Sequence, residues 1–91
     1  MRYKELISIF RTLAGRRRLE MINLLQDNKE RSVSDISEKI RLSLRSTSKH
    51  LLQLLEQDLV ESRRVNNLVL YRSATNLSDY LQKIIKEINK C

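Results

Sequence analysis

Ninety-one residues, 18 Lys and Arg against 11 Asp and Glu, and 41% apolar content describe a small, strongly basic chain of net charge +7. A chain this long buries roughly two-thirds of its extended surface, enough for a single domain over 1–91 with one core and no deep catalytic cleft. Proline is absent and glycine occurs once, at Gly15, which excludes collagen-like, linker-rich and turn-rich all-β chains. No apolar run approaches the ~18 residues of a membrane helix, and Glu5 stands where a signal peptide would begin its apolar stretch. The one cysteine, Cys91, offers no internal disulfide. A cytoplasmic setting, away from membranes, is the expectation.

The first predicted helix covers about 3–14, where Tyr3, Leu6, Ile7, Phe10, Leu13 and Ala14 form one apolar stripe of period 3.6. Gly15 is expected to end it in the left-handed conformation. A second helix, about 16–27, carries Leu19, Met21, Ile22, Leu24 and Leu25 on a wide face that suits the centre of the core. A short third helix is read at about 33–40, with Ser32 and Asp35 as a capping box and Val33, Ile36 and Ile40 inward. After Arg41-Leu42-Ser43, with Ser43 as N-cap, a fourth helix runs about 44–57. Leu44, Thr47, Leu51, Leu54 and Leu55 are expected inward; Arg45, Ser46, Lys49 and Gln53 outward. The period then changes. Residues 59–65 and 68–73 read as two strands around Asn66-Asn67, a pair that tolerates positive φ in a tight turn. A last helix at about 77–90 repeats the six-residue stripe with Leu77, Tyr80, Leu81, Ile84, Ile85 and Ile88.

A short helix, a three-residue turn and a longer basic helix make a helix-turn-helix over 33–57, and the basic hairpin at 59–73 adds a wing. The predicted class is mainly α with a β-hairpin wing, in the order α-α-α-α-β-β-α. The charge pattern says what such a unit is for. Lys39, Arg41, Arg45 and Lys49 lie between Glu38 and Glu56 with no acid among them, and Arg63, Arg64 and Arg72 lie between Glu61 and Asp79 likewise. Acid-free basic windows on a basic domain point to a polyanion. A major groove about 12 Å wide admits one helix, and Arg45 and Lys49 share a face at i and i+4. The candidate DNA-contacting residues are Ser43, Arg45, Ser46, Ser48, Lys49, His50 and Gln53 on the helix, and Arg63, Arg64, Asn66, Asn67 and Arg72 on the wing. A solvated basic surface, a protein-interaction module or a small RNA-binding protein are the other readings of the same charge.

Leu13-Ala14-Gly15-Arg16-Arg17-Arg18-Leu19, Ser46-Thr47-Ser48-Lys49-His50-Leu51, Asp58-Leu59-Val60, and Arg63-Arg64 to Tyr71-Arg72 resemble the arsenic-repressor (ArsR/SmtB-like) winged-helix regulators over about 4–75. The resemblance implies a homodimeric bacterial or archaeal repressor with its recognition helix at about 44–57 and a dimer interface on the first and last helices. Palindromic operator half-sites would match such a dimer. On that basis Tyr3, Leu6, Ile7, Phe10, Leu77, Tyr80, Leu81, Ile84, Ile85 and Ile88 are the interface candidates, residues 1–15 and 76–91 being the dimerisation helices. The two stripes support this independently, since together they exceed what a three-helix core covers. The family's metal-sensing residues have no match. Arg31-Ser32-Val33-Ser34-Asp35 stands where many relatives carry two cysteines, and the last helix has Asp79 and Glu87 but no histidine. No metal site and no cofactor are expected.

Single residues fit this reading. His50 is the only histidine, too few for a zinc site. It is read as a hydrogen-bonding residue of the recognition helix or a phosphate contact, with pH-dependent DNA binding as a corollary. Cys91 is read as an incidental thiol rather than a redox switch. Tyr71 is expected to pack its strand against the helices rather than stack on bases. The family match assigns Arg18 a structural bond and leaves Arg16 and Arg17 for phosphate or solvent. Ser48 and His50 project about 200° apart on one helix, so they form no nucleophile–base pair and no enzyme is expected.

Overall fold

The computed structural model describes residues 2–75 and 79–89. Its elements are α1 (Tyr3–Leu13), α2 (Arg16–Leu24) with a 3-10 turn at Leu25–Asp27, β1 (Arg31–Ser32), α3 (Val33–Ile40), α4 (Leu44–Glu56), β2 (Val60–Val65), β3 (Leu68–Ser73) and α5 (Asp79–Asn89). This is the winged helix-turn-helix, with one strand more than the sequence reading. The two-residue β1 pairs antiparallel to β3, Arg31 with Tyr71 and Ser32 with Leu70, giving the order β1-β3-β2. Two residues carry no alternation pattern, and β1 exists only because β3 lies beside it.

Both predicted N-cap serines are present, but the capping box forms only by its serine half, because the Asp35 carboxylate pairs with Arg31 instead. The Ser32 hydroxyl accepts from the Asp35 amide at 3.1 Å and starts α3. The Ser43 hydroxyl accepts from the Ser46 amide at 3.1 Å and starts α4. Each satisfies an amide that the first helical turn leaves free. The helix ends use left-handed residues other than glycine. Arg41 has φ 57° and Asp58 φ 57°, and the following amides, of Leu42 and Leu59, bond back to the carbonyls of Ser37 and Leu54 at 3.0 Å each. That is the Schellman closure. Asn66 takes φ 55° in the wing turn between the paired residues Val65 and Leu68.

Gly15 departs from its expected role. Its φ of −91° and ψ of 125° are extended, not left-handed, and α1 closes through Ala14. What glycine supplies there is space: a Cβ would lie 2.6 Å from the Arg18 guanidinium that folds back over it.

Met21, Leu25, Ile36, Leu51 and Leu54 are fully buried, joined by Ile22, Leu59, Val60, Tyr71 and Leu81. Burying one such side chain stabilises by about 1.5–3 kcal/mol. From α1 the core takes Ile9 and Leu13, while Tyr3, Ile7 and Phe10 of the predicted stripe stay exposed. One inward assignment changes. Leu44 is exposed because the first turn of α4 projects beyond the core, whereas Thr47, Leu51 and Leu54 point into it.

Candidate nucleic-acid interface

The turn after α3 and the outer face of α4 hold the most exposed cations of the helix-turn-helix. Arg41, Arg45 and Lys49 are exposed, and together with Lys39 they have no carboxylate within ion-pair reach among the described residues. Ser43, exposed beside them, already accepts the capping bond. Ser46 and Ser48 are half-buried.

The arginines of α2 and β1 are engaged. Arg16 and Arg17 both pair with Glu20, at 3.2 and 3.1 Å. Arg17 also donates to the Ile40 carbonyl at 2.9 Å, placing a cation at the negative end of α3. Arg31 pairs with Asp27 and Asp35. Arg17 thus bridges α2 and α3 while its side chain stays 41% exposed.

His50 and Gln53 belong to an internal network rather than to the open face. Arg18 donates to the Thr12 carbonyl at 2.6 Å and to Gln53 Oε1 at 3.0 Å, and its Nη1 lies 3.3 Å from His50 Nδ1. Gln53 Oε1 lies 3.3 Å from the same ring nitrogen, so the three side chains form one cluster in which the guanidinium donates. One arginine thus joins the end of α1 to the middle of α4. The structural bond that the family resemblance assigns to Arg18 is here, and the i, i+3 spacing of His50 and Gln53 is the other sequence signal of this network.

The wing sorts its charges by face. Strand residues alternate, and Tyr71 marks the face turned to the core. Glu61, Arg63, Leu70 and Arg72 lie on the opposite face by register. There Arg63 grips Glu30 through two bonds, Nε at 2.5 Å and Nη2 at 2.8 Å, and Arg72 pairs with Glu61 at 3.3 Å. Arg63 holds the Glu30 carboxyl below the usual carboxylate range. The Thr75 amide and hydroxyl, both 2.8 Å away, do the same for Glu61 with help from Arg72. Arg64 is different. It is exposed next to the hairpin tip, paired across the ladder with Val69, and has no carboxylate partner among the described residues. Asn66, Asn67 and Leu68 form the exposed tip around it. The structure therefore brings Arg45, Lys49 and Arg64 forward as open cations and leaves Arg63 and Arg72 engaged.

Of the predicted interface stripes, Tyr3, Ile7 and Phe10 are exposed, and Leu6 and Ile84 are half-buried. Leu81 is buried in the core of its own chain. Leu77 and Cys91 lie outside the described residues, as do the side chains of Tyr80, Ile85 and Ile88. Among the described residues no helix is long and apolar enough to cross a membrane.

Comparison with known proteins agrees with this geometry. Residues 16–62 match the family described as bacterial regulatory protein, arsR family. The arsenical resistance operon repressor of Staphylococcus xylosus is 32% identical over 89 residues, 98% of this chain and 85% of that one. The transcriptional activator HlyU of Vibrio cholerae is 34% identical over 65 residues, 71% of this chain and 59% of that one. A solved structure of HlyU from V. cholerae N16961 superposes with a TM-score of 0.82 at 26% identity, covering 99% of this chain and 96% of that one. A homodimeric winged helix-turn-helix DNA-binding domain from Mycobacterium bovis gives 0.80 at 26% identity, covering 96% and 77%. Matched along nearly its whole length by a regulator and folded as one, this chain belongs to the arsR family of bacterial regulatory proteins, DNA-binding transcription regulators rather than enzymes.

Proposed function

We propose that the protein is a homodimeric repressor that reads a palindromic operator in double-stranded DNA without the family's metal sites. The carrying observation is the set of exposed cations without carboxylate partners on the helix-turn-helix and at the wing tip, Arg41, Arg45, Lys49 and Arg64, beside a wing whose other arginines are ion-paired. In this reading α4 enters the major groove. Arg45 makes a two-pronged bond to guanine and Lys49 reaches base edges or phosphate. Ser43, Ser46 and Ser48 approach the backbone near the helix start, and Arg64 with Asn66 and Asn67 holds the flanking strand. Arg18 sets the position of α4 through His50 and Gln53. The exposed Tyr3, Ile7 and Phe10 of α1 supply the surface for the second copy. The repressor assignment follows the S. xylosus relative, whose sequence aligns with 98% of this chain against 71% for the activator. Among the described residues no three His, Cys, Asp or Glu side chains converge on a metal position.

Fluorescence anisotropy with a random pool of labelled duplex DNA tests this. Sub-micromolar binding that weakens steeply with salt, as displaced counterions require, followed by selection of a two-fold symmetric site, is the expected outcome. Absence of salt-dependent duplex binding at 50 mM salt would refute it and favour the protein-interaction alternative. A reporter driven by the selected site should fall when the protein is expressed, and a rise would assign activation instead.

A further inference from the structure

We infer that Leu44 is a specificity-determining residue that reads the C5-methyl group of thymine in the major groove, an assignment that rests on the DNA-binding reading above. Leu44 is the first residue of α4 and is 56% exposed. It is not among the partly buried apolar side chains packed on the core, which include Leu42 two residues before it and Leu55 at the far end of α4. Its place is the base-facing end of a recognition helix, the part whose side chains reach base edges. Arg41 and Arg45 flank it with no carboxylate partner among the described residues. The helix is anchored there by the Ser43 cap, so the side chain is carried on a defined turn rather than a loose end. A row of phosphates and polar base edges offers a leucine one apolar partner, and that is the thymine methyl. Leu52, at 49% exposure, lies two turns further along the same i, i+4 row through Ser48, away from the leading end.

Deoxyuridine pairs like thymidine but lacks the methyl group, so the contact can be removed from the DNA side alone. In the duplex selected from the random pool, each thymine is replaced by deoxyuridine, one symmetric pair at a time, for the native chain and for Leu44→Ala. Burying one methyl corresponds to roughly a fourfold change in affinity per half-site. The native chain should lose about that much at one position per half-site. Leu44→Ala should bind the thymine and uracil duplexes equally there, with an unchanged salt slope because no phosphate contact is lost. Uniform binding by the native chain at every position overturns the assignment, as does a Leu44→Ala chain that keeps the same methyl sensitivity. Failure to bind any duplex overturns the DNA reading itself, a result distinct from binding that ignores the methyl.

Discussion

Arg45 and Arg64 bear equal charge but stand on different elements, and under the DNA-binding proposal they take different partners. Arg45, the second residue of α4, is assigned a base edge, and Arg64, beside the wing tip, is assigned backbone. Arg45→Ala should cost about 1–3 kcal/mol and relax base preference at one position per half-site. Arg64→Ala should weaken all sequences alike and lower the salt slope by about one. Titrations of selected and scrambled duplexes across salt separate the two, and identical behaviour would cancel the division of roles. Tyr71 makes a different demand. It is 5% exposed at the centre of the sheet, and burial pushes its phenol pKa up. A group whose pKa is raised on folding contributes its stability fully below the unfolded value, about 10, and loses it as pH climbs toward the folded value. Denaturation at pH 8 and pH 11 should therefore show a smaller alkaline loss for Tyr71→Phe than for the native chain. The packing role of Tyr71 was legible from its place in an alternating strand. The roles of Arg17 and Arg18 as bridges between helices were not derivable from spacing, because their partners at Ile40 and Gln53 are distant in sequence.

At the level of elements, helix starts were readable and helix ends only in part. Ser32 and Ser43 cap as their positions implied, because a hydroxyl one residue ahead of a helix needs only local geometry to accept a free amide. Closing a helix without glycine is costlier. Asp58 sits at φ 57° between α4 and β2, where Leu59 must turn back to the Leu54 carbonyl. Asp58→Gly should remove left-handed strain in excess of the backbone entropy it adds, raising stability by about 0.5–1 kcal/mol. The check is a higher urea midpoint at constant m-value. The strand pairing of the wing followed from two short β-rich runs around Asn66-Asn67. The third strand did not, since β1 is defined by its neighbour and not by its own residues.

For the whole molecule, the decisive surface is the one the protomer leaves uncovered. Ile7 and Phe10 are 50% and 43% exposed on α1, on the flank of the stripe that Leu13 carries into the core. Ile7→Glu and Phe10→Glu should leave the protomer fold intact, as judged by circular dichroism. Each should shift the sedimenting species from dimer to monomer and reduce binding to the full palindrome toward that of a half-site. A variant that remains dimeric would move the interface off α1.

Order of elements, helix period, capping serines and the acid-free basic windows are local properties, and each is written in neighbouring residues; that is why the winged helix-turn-helix and its polyanion partner could be read from the chain alone. Which cations remain open for DNA could not be. Arg63 and Arg64 are adjacent and chemically identical, yet strand alternation and the approach of Glu30 from thirty-three residues away occupy one and leave the other free. Leu44 and Leu51 fit the same helical stripe, yet only the depth of the core beneath α4 buries one and exposes the other. Periodicity assigns a face, but only packing in three dimensions decides how far that face is covered.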